Sequence, residues 1–234
     1  MNRVAMIIDV GPGLGAALGR RLARTGCSVA LVARNPAFIN ELGHELQSLG
    51  QPALAIVADA SRPAEIAAAV ARTRAELGAI EVLIHNASSS SGDGLLGTSA
   101  EEFEETWRVA ALGAFVAARE TAPDMIAAGK GAMIFTGATS SVRGGGWLAF
   151  SSAKFALRGL AQSLARELWP QGIHVAHVVV DGLIDTRGSA ETDPSEPALD
   201  PEQMAEAYLQ LVEQDRSAWT LEWDLRPHRE KFFE

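Results

Sequence analysis

Six short runs of β-branched and aliphatic residues, most of them followed by a longer segment of helical period, limit what this chain can fold into. The runs are Val4–Ile8, Val29–Ala33, Leu54–Ala58, Val82–His85, Ala132–Thr136 and His174–Val180. Between and after them, helical periodicity predicts helices near Leu14–Thr25, Ala37–Leu49, Pro63–Leu77, Glu101–Ala128 and Leu148–Trp169. A last helix follows from Pro201 to about Glu213, and Trp219–Asp224 supplies one more strand. Alternating strands and helices build βαβ units and a parallel sheet. Most runs are apolar almost throughout, as required when helices cover both sheet faces. The expected fold is therefore α/β: a doubly wound, mostly parallel sheet of about seven strands with helices on both faces.

Several ends carry their own chemistry. Gly26 and Gly50 stand where helix-terminating glycines belong, with Pro52 just beyond the second. Ser61 before Arg62-Pro63 reads as a helix cap with proline in the first turn, and Ser99 with Glu101 and Glu102 opens the long helix. No linker or internal repeat divides the 234 residues, so residues 1–234 are expected to form a single domain. A net charge of −9 without a basic stripe argues against nucleic acid. The single cysteine, Cys27, cannot form an intrachain disulfide and reads as buried filler. No apolar run approaches the roughly 20 residues that span a bilayer, so no membrane association and a cytoplasmic location are expected.

The first strand runs into Gly11-Pro12-Gly13-Leu14-Gly15, and a helix begins at once. Glycines there let backbone approach a pyrophosphate, whose charge rests on free N–H groups at the helix start. This is a Rossmann-type arrangement; the competing reading is a tight turn without a ligand. At the end of the second strand, Leu31-Val32-Ala33-Arg34-Asn35 lacks the acid that would hold ribose hydroxyls. Arg34 instead suits a 2′-phosphate, which favours NADP over NAD.

At this point the residues resemble the short-chain dehydrogenase/reductase family, from about residue 4 to 190. Gly13-Leu14-Gly15 resembles the end of its glycine motif, and Asp59 the acid that contacts adenine. His85-Asn86-Ala87-Ser88 resembles Asn-Asn-Ala-Gly. Lys154 matches the lysine of Tyr-x-x-x-Lys, and Asp181-Gly182-Leu183-Ile184-Asp185-Thr186 resembles Pro-Gly-x-x-x-Thr. The resemblance implies that Gly11, Gly13, Leu14, Gly15, Arg34, Asp59, Asn86, Lys154 and Thr186 bind the dinucleotide. Lys154 would hold the nicotinamide ribose, and Thr186 the carboxamide.

The catalytic positions depart from the family pattern. Its tyrosine is Phe150, its long-helix asparagine is Ala110, and ungapped spacing puts Gly137 or Ala138 at its serine. A small loop shift would bring Thr139 or Ser140 into the serine's role. The candidate catalytic set is thus Lys154, Thr139 and Ser140, beside Phe150 in the tyrosine's place. The family's first glycine is Asp9, whose carboxylate would face the pyrophosphate. Alternatively Gly11, Gly13 and Ala16 form the fingerprint and Asp9 turns away. The motif's proline is Asp181. Phe155-Ala156-Leu157-Arg158, Gly172-Ile173-His174-Val175 and the tail around Trp219 and Asp224-Leu225-Arg226-Pro227 are similar to uncharacterised bacterial family members that also lack the tyrosine.

Other features have plainer readings. His85 is a possible proton donor, though a strand-end histidine satisfied by backbone is commoner. His174 and His177 point to opposite faces of their strand and suggest no metal pair. Segments 88–94 and 188–200 are expected as loops at the ligand-binding edge, both candidate substrate loops unless they are ordinary surface loops. Trp219, Trp223, Phe232 and Phe233 would cover the active site, join a subunit contact or pack in the core. Ala-rich helices suit a homodimer or homotetramer. Two functions follow: an NAD(P)-dependent oxidoreductase of atypical mechanism on a small-molecule carbonyl or alcohol, or a catalytically silent NADP-binding sensor.

Overall fold

The computed structural model describes residues 3–89, 94–186 and 198–230. Seven strands form one sheet: β1 (Val4–Ile8), β2 (Ser28–Ala33), β3 (Ala53–Val57), β4 (Ile80–His85), β5 (Gly131–Thr136), β6 (Ile173–Val180) and β9 (Glu222–Leu225). Their order is β3-β2-β1-β4-β5-β6-β9, and every neighbouring pair is parallel. The chain reverses direction across the sheet between β1 and β4, where such folds bind ligands beyond the strand C-termini. A separate two-stranded ladder joins β7 (Leu183–Ile184) to β8 (Ala198–Leu199).

All residues of β1, β2 and β6 are buried, which is why these runs show no polar alternation. One face packs against α3 (Pro63–Glu76), α5 (Gly113–Ala128) and α6 (Leu148–Leu168), with Met6, Ile66, Met133, Phe135 and Leu157 in the core. The other packs against α1 (Leu14–Arg24), α2 (Pro36–Ser48) and α7 (Pro201–Glu213), around Ile7, Leu18, Leu31, Ile39 and Tyr208. Each such aliphatic or aromatic side chain contributes on the order of 2 kcal/mol by leaving water.

Local signals explain most boundaries. Gly26 (φ +89) and Gly50 (φ +81) take the left-handed conformation after α1 and α2. Ser99 and Glu102 form a reciprocal capping box on α4 (Ala100–Trp107). The expected Ser61 cap is absent. Arg62 is the N-cap residue, without a side-chain bond, and the Ser61 N–H instead donates to Asp59 Oδ1 at 2.9 Å. Trp219 stacks on His174 (5.0 Å, 5°) at the N-terminal edge of the sheet, so it does not cover the ligand edge, while Trp223 lies in β9 and packs on the core. Phe232 and Phe233 lie outside the described residues, as do most of the expected loops at 88–94 and 188–200.

The expected helix 101–128 is interrupted. A π-helical turn, Arg108–Leu112, separates α4 from α5. Two contacts account for it. Gly113 is pressed against the loop after β3, where a Cβ would stand 2.4 Å from the Ala60 carbonyl oxygen. His85 Nε2 lies 3.3 Å from the Val109 carbonyl, a group exposed by the widened turn. Burial pushes His85 down to about 3, so the ring is neutral and its Nε2–H donates.

A folded-state value below the usual 6.5 means the unfolded chain binds this proton first. The associated stability is complete above about pH 6.5 and is lost as pH falls towards 3. The unfolding free energy from urea titrations should therefore drop between pH 7 and 5, with His85 contributing on the order of 1 kcal/mol per pH unit beside the depressed His177. His85→Asn keeps a donor for Val109 but does not titrate, and should reduce that slope by its share. An unchanged slope would assign the effect to other groups.

Candidate functional site

The site is built where β1, β4, β5 and β6 end. Asp9, directly after β1, has φ +70, the one non-glycine in the left-handed region among the described residues. Aspartate tolerates that region better than most residues, because its short side chain bonds locally. Asn86 Nδ2 donates to the Asp9 carbonyl at 3.3 Å, and the Asp9 and Val10 N–H groups both donate to Val32 O. The residue is held from both sides in the conformation that a glycine adopts freely.

Within the glycine turn, a Cβ on Gly15 would lie 2.7 Å from Val10 Cα, so a glycine is needed there for close helix–strand packing. A Cβ on Gly13 would meet Thr186 Cγ2 at 3.1 Å and Ile184 Cγ2 at 3.3 Å, whereas Gly11 has open space. Thr186 is therefore brought against the turn, as its sequence position suggested. Leu14 is buried as the first residue of α1. Asp9 is not turned away. It lines a cavity of about 90 Å³ with Ile8, Arg34, Asp59, Ser88 and Val109. Burial raises its carboxyl, opposed by Arg34, a backbone N–H of Ser88 and Lys154.

Arg34 reaches this cavity because of its neighbours. β2 ends at Ala33, and Asn35 caps α2 by accepting from the Ala37 and Phe38 N–H groups at 3.1 and 3.4 Å. The arginine between them is exposed at the strand end. Burial tends to raise Asp59, but hydrogen bonds from Ser61 and the charges of Arg34 and Arg62 outweigh it and hold the carboxyl below its usual range.

Across the site, Lys154 is 2% exposed; Nζ donates to the Thr136 carbonyl at 2.7 Å and lies 5.6 Å from the Phe150 ring centroid. Burial pulls its ammonium down to about 8, with Asp9 acting in opposition. Ala110 is buried in the π-helical turn. Gly137 is enclosed: a Cβ there would stand 2.1 Å from His177 Nε2 and 2.7 Å from Ser141 Oγ. The imidazole occupies the space that a serine side chain at 137 would need. His177 Nδ1 lies 3.1 Å from Glu222 Oε2, and Arg158 grips Glu222 at 2.6 and 2.8 Å. Burial drives His177 down to about 4, and Nε2 has no hydrogen-bond partner among the described residues. Sequence reasoning treated His177 as an ordinary strand residue. The signal that singles it out is Gly137, just beyond β5, where no side chain fits beside the imidazole.

Two residues downstream, Thr139 Oγ1 donates to Asp181 Oδ1, and Asp181 Oδ2 pairs with Arg226 Nη1 at 2.8 Å. Ser140 shares the 3₁₀ turn Thr139–Ser141. Asp181 and Arg226 were not expected in the site: one was read as a loosened turn, the other as tail. A wider cleft of about 420 Å³ opens at the opposite, N-terminal edge, between Arg3, Lys130, His174 and Trp219. It lies away from the strand ends that carry the glycine turn and Lys154, so the chemistry belongs to the C-terminal edge. Among the described residues no cluster of histidine, cysteine and carboxylate side chains could hold a metal ion, and no helix is long and apolar enough to cross a membrane.

The comparisons with known proteins agree with this layout. A short chain dehydrogenase profile matches residues 3–197. A short-chain dehydrogenase/reductase of Armillaria gallica is 32% identical over 178 residues, 74% of this chain and 68% of its own length. The oxidoreductase UcpA of Escherichia coli is 28% identical over 223 residues, 94% and 84% of the two chains. Among solved structures, a short-chain dehydrogenase from Rhodopseudomonas palustris is 36% identical, with a TM-score of 0.85, covering 97% of this chain and 100% of that one. A metagenomic short-chain oxidoreductase in complex with NADP is 26% identical, with a TM-score of 0.84 and 96% of each chain covered. With a family match over residues 3–197, the chain belongs to the short-chain dehydrogenase family of oxidoreductases.

Proposed function

We propose that this single domain is an NADP-dependent oxidoreductase whose proton chemistry does not use a tyrosine. The observation that carries the reading is the cavity at the ends of β1, β2 and β4, where Arg34, Asp59 and Ser88 surround the space beside the glycine turn. Its lining fits the adenosine end of a dinucleotide, and the related metagenomic enzyme binds NADP. Arg34 would pair with the 2′-phosphate, the Gly11–Gly15 backbone would receive the pyrophosphate, and Asn86 would fix the turn through Asp9. Lys154 would hold the nicotinamide ribose and Thr186 the carboxamide. When bound, the dinucleotide exchanges a hydride with the substrate at its nicotinamide ring. The substrate would be a small carbonyl or alcohol.

Calorimetric titration with NADPH and NADH tests the cofactor assignment. NADPH should bind more tightly, and Arg34→Ser should weaken it about tenfold while sparing NADH. Asp9 works against binding: a carboxylate about 6 Å from a phosphate costs on the order of 2–3 kcal/mol at an effective dielectric of about 20. Asp9→Gly removes that charge and the left-handed strain, so it should tighten NADPH at least tenfold. An unchanged affinity would mean that the pyrophosphate does not pass Asp9.

The second reading, a silent NADP-binding sensor, is favoured by Phe150, Ala110 and the enclosed Gly137 together. NADPH consumption across a carbonyl panel, and NADP⁺ reduction across matching alcohols, separates the two. Slow turnover supports the enzyme; tight binding with no turnover in either direction supports the sensor. Phe150→Tyr should raise any activity, because the new phenol would lie beside the Lys154 ammonium. Gly137→Ser should instead destabilise the fold, because its Cβ collides with His177.

A homodimer also belongs to this reading. Phe103, Trp107, Phe115 and Phe155 are 38–43% exposed on α4, α5 and α6, an apolar surface that a second copy would cover. Light scattering should give twice the chain mass, and Phe115→Glu with Phe155→Glu should give the monomer. A monomeric wild type would remove this part of the proposal.

A further inference from the structure

Three residues outside the family's catalytic pattern meet at the ligand edge. Thr139 follows β5, Asp181 ends β6, and Arg226 follows β9. Thr139 Oγ1 donates its hydrogen to Asp181 Oδ1. Asp181 Oδ2 forms an ion pair with Arg226 Nη1 at 2.8 Å, and Arg226 also grips Asp224 at 2.5 and 3.1 Å. The Asp181 and Arg226 side chains are 12% and 15% exposed, so the arrangement is largely shielded from water. Thr139 is half-buried and lies two residues from the enclosed Gly137.

A hydroxyl has one hydrogen and two lone pairs; a carboxylate only accepts. With its hydrogen directed to Asp181, Thr139 Oγ1 has acceptor sites left for a ligand. A ketone oxygen offers lone pairs as well, so the two oxygens would repel. An alcohol offers an O–H, which matches. We propose that Thr139, its proton committed to Asp181, is the acceptor for the hydroxyl of an alcohol, so that the site takes its substrate in the alcohol form. This rests on the oxidoreductase reading above. On oxidation the alcohol proton moves to Thr139 Oγ1 as the Thr139 proton moves to Asp181 Oδ1. The carbinol C–H bond breaks at the same time, and its hydrogen and electron pair pass to the oxidised nicotinamide. A carbonyl compound and a neutral Asp181 remain. Thr139 is then the catalytic residue, and Asp181, tethered by Arg226, positions it and receives the proton.

The Arg226 contact makes the test directional. In Asp181→Asn the guanidinium charge of Arg226, 2.8 Å from the present Oδ2, favours the amide oxygen on its side and the amide N–H₂ towards Thr139. Thr139 then accepts from Asn and points its own hydrogen at the ligand, so preference should switch from alcohol to ketone. The probes are a difluorinated cyclohexanol and the matching cyclohexanone, titrated by fluorine NMR against protein with and without saturating NADP⁺. Wild type should favour the alcohol about tenfold. Thr139→Val should abolish the difference, Thr139→Ser should restore it, and Asp181→Asn should reverse it, with circular dichroism confirming that each variant is folded. If Asp181→Asn does not fold, the Thr139 pair decides. Equal affinities in wild type, or a folded Asp181→Asn that weakens both probes alike, would overturn the inference. Calorimetry of NADP⁺ on the same samples separates the two levels. Loss of cofactor binding with alcohol preference intact defeats the oxidoreductase reading alone, whereas intact cofactor binding without the preference defeats this one alone.

Discussion

A parallel sheet buried on both faces governs everything else in this molecule. Helices must cover Met6, Phe135 and Val175 on one side and Ile7, Leu31 and Val178 on the other. Every connection therefore crosses from one end of the sheet to the other, and the strand C-termini collect the loops on one edge. Functional side chains gather there because backbone groups at the strand ends are free to be used. Lys154 illustrates the point: its ammonium is stabilised in the interior by the Thr136 carbonyl, the last residue of β5. A buried cation needs such a partner, and a strand end can supply one without breaking the ladder.

Several side chains around positions 137 and 181 are consistent with one another in space. The space beside Gly137 is filled by His177, which is fixed by Glu222 and Arg158. Asp181 stands where the pattern has proline, and its carboxylate is used at once by Thr139 and Arg226. Two of these partners, Glu222 and Arg226, come from β9 and the residue after it.

That dependence on the tail explains what was legible in the sequence. Strand and helix order could be read because burial on both faces leaves continuous apolar runs, and the glycine turn and Lys154 could be placed by local spacing. The Thr139–Asp181–Arg226 and His177–Glu222–Arg158 groupings could not. Each joins residues more than forty positions apart, through a β6–β9 register that no local pattern encodes. The π-helical turn was hidden for a similar reason. Its cause is the approach of Gly113 to Ala60 and of Val109 to His85, while the intervening periodicity remains that of an ordinary helix. Ser61 misled because serine before Arg-Pro has the right composition for a cap, yet its N–H was already drawn to Asp59.

Asp9 and Lys154 link the two ends of the site. Burial raises the carboxyl of one and lowers the ammonium of the other, and each opposes the other's shift. Their attraction favours the charged pair, whereas desolvation favours the neutral one, so the balance is open to change by a third charge. A phosphate entering beside the glycine turn is such a charge. It would disfavour the Asp9 carboxylate and favour the Lys154 ammonium. A glycine at position 9 would leave the buried Lys154 without the carboxylate that now favours its charged form.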